Sequence, residues 1–152
     1  MTKRGFLAYF EFVRTATRRL VTLVPDEHLD YRPRDNMFSM RELLNHFAWA
    51  ESMTRNGILE DRWAADSEEQ RNSRDEILAA LDASFTRTQE SIREFPEGKF
   101  LNKDVHPPGQ PVIKAEVAFL GLILHEVHHR TQLFLYLKTL GLPVDSSTLF
   151  TP

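Results

Sequence analysis

Four amphipathic segments, each closed by a proline or glycine break, predict an all-α protein folded as a four-helix bundle with a long crossover connection. Three observations carry that expectation. Apolar residues recur at steps of three, four and seven within each segment, the spacing of one helix face. Two segments open on the same N-terminal capping signature. No convincing strand pattern interrupts them.

The first segment, residues 2–24, carries Phe6, Phe10, Val13, Thr17, Leu20 and Val24 on one stripe, with Phe6, Phe10 and Val13 expected in the core. Pro25 stops it, because a proline disfavours helical geometry in the residue before it. Arg14, Arg18 and Arg19 form a small basic cluster, read here as a solvated helix face. Residues 25–38 hold the turn formers Asp26, Asp30, Pro33, Asp35 and Asn36 and read as a loop, pinned by Leu29 and Tyr31, with His28 solvated.

Ser39 and Glu42 make a capping box, so the second helix starts there. Leu43, Leu44, Phe47, Ala50 and Met53 form its apolar face, and His46 lies within that face. The helix is expected to end near Asn56, with Gly57 as its cap. The acidic stretch 58–72 reads as an exposed loop with room for one helical turn, and Trp63 as a cover on one end of the core. A second capping box, Ser73 with Glu76, opens the third helix, whose stripe is Ile77, Leu78, Leu81, Phe85, Thr88, Ile92 and Phe95. Pro96 and Gly98 close it.

Residues 99–111, centred on Pro107-Pro108-Gly109, are long enough to carry the chain across the bundle, with His106 as a loop residue and no support for a strand pair. The fourth helix is expected from near Pro111 to Leu140, with Val117, Leu120, Leu124, Val127 and Phe134 as its buried face. Leu124 and Phe85 are therefore expected in the core. Gly141 and Pro143 end the helix, and the tail beyond lacks periodicity.

Composition narrows the function. The 152 residues suit one domain, 1–152. Nineteen basic against twenty-two acidic residues, a formal charge of −3, argue against a dedicated nucleic-acid surface. The chain has no cysteine, so disulfides, thiolate ligands and a cysteine nucleophile are excluded. No apolar run suits a signal peptide or a membrane span, and a soluble cytoplasmic protein is the expectation.

The fourth helix carries His125-Glu126-Val127-His128-His129-Arg130-Thr131-Gln132. His125 and His129 are four apart, so their side chains share a helix face and can reach one metal ion. Gln132 and Tyr136 continue that stripe, whereas His128 points away from it and reads as a surface residue or as a neighbour outside the ligand set. His46 alone reads as a satisfied core histidine. Together, His46, His125 and His129 point to a shared divalent ion, because facing helices are where bundles build metal sites and a buried cluster of bare histidines is costly. Three imidazoles leave a position open, as catalytic sites do. Because imidazole binds metal only when neutral, affinity is expected to fall below about pH 6.5. Nitrogen donors suit zinc, nickel or iron.

The stretch Ser39-Met40-Arg41-Glu42-Leu43-Leu44-Asn45-His46, the later His125 to Gln132 stretch and Tyr31-Arg32-Pro33 together resemble the DinB (DinB/YfiT-like) family of damage-inducible and related bacterial proteins. The resemblance implies a four-helix bundle, a divalent metal on His46, His125 and His129, and a homodimer. It also implies chemistry with low-molecular-weight thiols such as bacillithiol or mycothiol. Thr131 stands where the family often has glycine, a position that would serve close helix packing. The expected function is metal-dependent transfer of a thiol, with an unknown small-molecule substrate. A metal-dependent hydrolase and a non-enzymatic metal-binding structural or stress-response protein are the alternatives. Glu126, Arg130, Trp49 and Tyr136 are candidate substrate contacts, each with a structural reading beside it: Glu126 solvated or supporting the site, Arg130 an inter-helix anchor, Trp49 and Tyr136 core or boundary aromatics.

Overall fold

A computed structural model describes residues 1–150, without the side chain of Phe150. Its elements are α1 (Lys3–Thr22), a 3-10 turn (Asp26–His28), α2 (Met40–Glu60), α3 (Arg74–Glu94), a short α4 (Glu97–Asn102), strands β1 (Asp104–Val105) and β2 (Ile113–Lys114), α5 (Ala115–Thr139) and α6 (Ser146–Phe150). The four long helices make the bundle. Both capping boxes form as read, with Ser39 Oγ accepting from the Glu42 amide and Ser73 Oγ from that of Glu76. No helix among the described residues is long and apolar enough to cross a membrane.

Helix direction follows from the pairings. Phe6 meets Phe119 and Arg14 meets Glu126, so α1 and α5 run parallel. Tyr136 reaches the Phe38 carbonyl while His125 meets His46, so α2 runs against α5. Arg14 reaches the Leu81 carbonyl and Lys3 that of Phe95, so α3 runs against α1. Helices α2 and α3 are therefore parallel neighbours, and the connection 61–73 has to travel back along α2. It is held there by Asn45, bonded to the Arg71 amide and carbonyl at 2.8 and 3.1 Å, and by Asp66, which accepts from Arg55 and Asn56 at 2.5 and 2.9 Å. The crossover expected at residues 99–111 occupies 95–114 and spans the α3/α5 diagonal, and the α1–α2 loop spans the other. Within it Asp104 and Val105 pair antiparallel with Lys114 and Ile113, a small strand pair that the sequence does not announce.

The core is split in two. One apolar cluster holds Leu20, Leu43, Phe47, Leu81, Leu133 and Leu137; the other holds Phe6, Phe10, Ile58, Ile92, Phe119 and Ile123. Between them along each of the four long helices lies a polar layer: Arg14, Glu51, Arg55, Thr88, Glu126 and Arg130, all buried. Arg14 donates to Glu51 at 2.6 Å, to Glu126 at 2.8 and 3.0 Å and to the Leu81 carbonyl at 3.2 Å. Burial works against its charge, but attraction to Glu126 and Glu51 outweighs that and raises its pKa above the usual guanidinium value. The solvated-face reading of the basic cluster thus holds for Arg18 and Arg19 and fails for Arg14.

Further expectations are corrected. Val117, Leu120 and Leu124 lie outward, Leu124 at 67 % exposure, while Phe119, Leu122 and Ile123 are buried. Helix α5 is apolar on both faces, so periodicity alone cannot orient it; the buried Glu126, His129 and Arg130 do. Phe85 is partly buried and packs on Phe10, with ring centres 5.0 Å apart. Gly57 does not cap α2, which continues to Glu60 and ends at Asp61 in the left-handed region, φ 57°. The glycine instead lets the Trp63 ring close on the helix, since a Cβ there would sit 2.5 Å from it. The fourth helix starts at Ala115 rather than near Pro111, because 113–114 are committed to the strand pair. Thr131 is exposed and bonds back to the Val127 carbonyl at 3.0 Å, so it does not disturb helix packing.

Replacing Leu124 by alanine is expected to change the unfolding free energy by less than about 0.5 kcal/mol, and replacing Leu122 to cost about 2–5 kcal/mol. Urea denaturation of both variants checks the helix orientation. Arg14→Met leaves two buried carboxylates without their cation and is expected to cost about 3–5 kcal/mol. Adding Glu51→Gln and Glu126→Gln to that variant should recover part of the loss in the same assay.

Candidate metal centre

His46 projects from the second turn of α2, behind the capping box that holds the start of that helix. His125 and His129 project from successive turns of α5, on the edge that faces α2. The three rings converge across the 79 residues separating His46 from His125: His46 Nε2 lies 3.3 Å from His125 Nε2, and His129 Nε2 lies 3.1 Å from it. Ligand nitrogens from all three lie within 4.8 Å of one another. A metal–nitrogen bond of about 2.0–2.1 Å and tetrahedral angles put ligand nitrogens about 3.3 Å apart. The donor set therefore fits one divalent ion.

The surroundings favour neutral rings. Burial, then repulsion from His129 and His125, pulls His46 down to about 4; burial and the charges of His129 and His128 do the same to His125. His129 is lowered too, chiefly by burial, against a hydrogen bond with Gln132 that favours its charged form. The onset of proton competition for the ligands therefore lies below the value near 6.5 expected for free imidazole.

Aromatic rings wall the histidines. Trp49 stacks on His46, with ring centres 5.6 Å apart and planes inclined by 23°, and its Nε1 donates to Glu68 in the returning loop at 2.9 Å. Phe38 lies 5.3 Å from His46 and 6.3 Å from His129, and Phe47 stands edge-on to His129. An open cleft of about 360 Å³ reaches His46 between Phe38, Glu42, Trp49, Glu68 and Gln70. A smaller cavity of about 200 Å³ lies beyond Trp49, between α2, α3 and the returning loop, and is not lined by His125 or His129.

The remaining candidates sort out. His28 lies in the 3-10 turn, and His106 is exposed in the crossover, so both stand outside the cluster. His128 is exposed, its ring 5.0 Å from that of His129. Glu126 is not solvated; it is buried against Arg14. Arg130 anchors α5 to α1 through the Val13 carbonyl at 3.2 Å. Tyr136 is a buried aromatic and Trp49 lines the cleft. Phe38 and Glu68 were not singled out by the sequence; both sit in loops whose path no local pattern specifies.

A sequence model of the DinB superfamily matches residues 9–133, a span that includes all three histidines. The chain belongs to the DinB superfamily. The protein YjoA of Bacillus subtilis is 23 % identical over 138 residues, covering 89 % of this chain and 88 % of the relative. The crystal structure of that DinB-like protein superimposes with a TM-score of 0.76 at 19 % identity, covering 92 % of this chain and 96 % of the other. A DinB-like protein of Bacillus cereus gives 0.83 at 20 % identity, with 95 % and 97 % covered. A family member from Exiguobacterium sibiricum gives 0.73 at 20 % identity, with 96 % of each chain covered. At these identities the likeness shows the fold. The three-histidine cluster is read from the geometry of this DinB chain itself.

Below the unfolded pKa of about 6.5, the unfolded chain takes up protons on His46 and His125 that the folded metal-free protein refuses until about pH 4. Stability is therefore complete above that window and lost as pH falls through it. Urea denaturation of metal-free protein between pH 7 and 4 should show the decline, and a His46→Gln, His125→Gln double variant should show a shallower one.

Proposed function

We propose that His46, His125 and His129 hold one divalent metal ion and that this DinB protein is an enzyme transferring a low-molecular-weight thiol to an electrophilic small molecule. The observation that carries the metal reading is the convergence of three Nε2 atoms from two helices at the spacing of one coordination sphere. Zinc, nickel and iron all suit three imidazole nitrogens. When bound, such an ion supplies Lewis acidity, which makes a thiol a stronger nucleophile at neutral pH.

The chain's own residues support the rest of the reading. It has no cysteine, so a reacting sulfur has to arrive with the substrate. The cleft beside His46 offers an entry path, and the Phe38 and Trp49 rings supply apolar walls that restrict water on two sides of the histidines. Glu42 is held by Arg32 at 2.9 Å and by the helix cap, and Glu68 by the Trp49 indole, so neither is a free base poised over the cluster. This arrangement suits a nucleophile that is activated by the bound ion better than one that depends on a protein carboxylate.

Calorimetric titration with zinc and with nickel is expected to give one site per chain. Alanine at His46, His125 or His129 should abolish tight binding, while alanine at His28, His106 or His128 should leave it near the wild-type level. Full affinity in His46→Ala would overturn the inter-helix site. A screen of metal-loaded protein against small thiols paired with electrophiles tests the transfer reaction. Metal binding without turnover of any pair would favour a non-catalytic role.

A further inference from the structure

The hydrogen bonds behind His129 run in one direction only. The Phe38 carbonyl can accept but not donate, so Tyr136 Oη, 2.9 Å away, must give its proton to it. That leaves the phenol oxygen to accept from Gln132 Nε2 at 3.1 Å. The amide of Gln132 is thereby turned so that Oε1 faces His129 Nδ1 at 3.0 Å. A carbonyl oxygen there requires a proton on Nδ1. A neutral imidazole carries one N–H, so Nε2 is left with a bare lone pair, pointing at His125 Nε2 3.1 Å away. Turning the Gln132 amide over would place its oxygen toward Tyr136, draw the phenol proton away from Phe38 and leave that carbonyl unpaired.

We propose that Gln132 and Tyr136 are positioning residues that fix His129 in its Nδ1–H form and so present Nε2 as a ligand before any metal arrives. This rests on the reading of the cluster as a metal site. Among the described residues, His129 is the one ligand whose Nδ1 is held this way; His46 and His125 meet protein partners only through Nε2. The chain of bonds also joins both halves of the site. Phe38 immediately precedes Ser39, the cap of the helix that carries His46, and its ring lies against both His46 and His129. Tyr136 is buried, with 2 % of its surface exposed, and its ring stands edge-on to Tyr31 at 5.9 Å, so the phenol has little freedom to turn away.

Long-range proton–nitrogen correlation spectra of the metal-free protein read the tautomer directly, without metal or activity. Wild type is expected to show His129 with its proton on Nδ1. Tyr136→Phe removes the group that orients the amide, and Gln132→Leu removes the acceptor, so both should populate the Nε2–H form. Zinc affinity, measured by competition with a chelator, should fall about 10- to 100-fold in Gln132→Leu and by less in Tyr136→Phe. Gln132→Glu, which still accepts from Nδ1–H, should restore both the tautomer and the affinity. Two results overturn the proposal: wild-type tautomer and affinity in Gln132→Leu and Tyr136→Phe, or a Gln132→Glu variant as weak as Gln132→Leu. A wild-type protein that binds no zinc yet shows the Nδ1–H form would defeat the metal reading and leave the relay standing.

Discussion

The buried guanidinium of Arg14 is the constraint on which the rest of the structure depends. It reaches three other helices at once: Glu51 on α2, the Leu81 carbonyl on α3 and Glu126 on α5. A charge taken out of water is tolerated only where partners satisfy it, so each of those contacts restricts how its helix can slide or rotate. The apolar clusters on either side supply the hydrophobic drive but little directional information. The polar layer between them sets the register.

That register places the histidines. Glu126 follows His125 directly in the chain, and its bond to Arg14 turns α5 so that His125, His129 and Gln132 lie on the edge facing α2. Arg130 adds a second tie to α1. On the other side of the site, the capping box fixes where α2 begins and therefore where His46 lies, two turns in. The returning loop matters as well, since its Glu68 holds Trp49 over His46. The ligand cluster is thus a consequence of contacts that contain no ligand.

Much of this was legible in the residues. The capping serines, the helical stripes of α1 and α3 and the i,i+4 histidine pair are local features, and local features survive folding when they agree with it. The three histidines could be grouped because only a buried face would bring His46 near the pair. The outward Leu124 shows the limit: α5 carries leucines on both faces, and hydrophobic spacing alone favoured the wrong one. Arg14 shows the same limit from the other direction. An arginine among arginines on an amphipathic helix reads as solvated until two carboxylates from distant segments meet it.

The sequence by itself determined the class of fold, the starts of α2 and α3, the absence of any cysteine side chain that could react or bind metal, and the identity of the three histidines as a group. Each depends on residue type or on spacing within a few turns, which the chain carries wherever it goes. Only the tertiary structure decided that α2 and α3 run parallel, that α5 turns its Val117, Leu120 and Leu124 outward, and that the loops bring Phe38 and Glu68 to the site. It also decided the order of bonds from Phe38 through Tyr136 and Gln132 to His129. Those outcomes depend on which buried polar groups find partners, and partners separated by 112 residues, as Arg14 and Glu126 are, have no signature in local pattern.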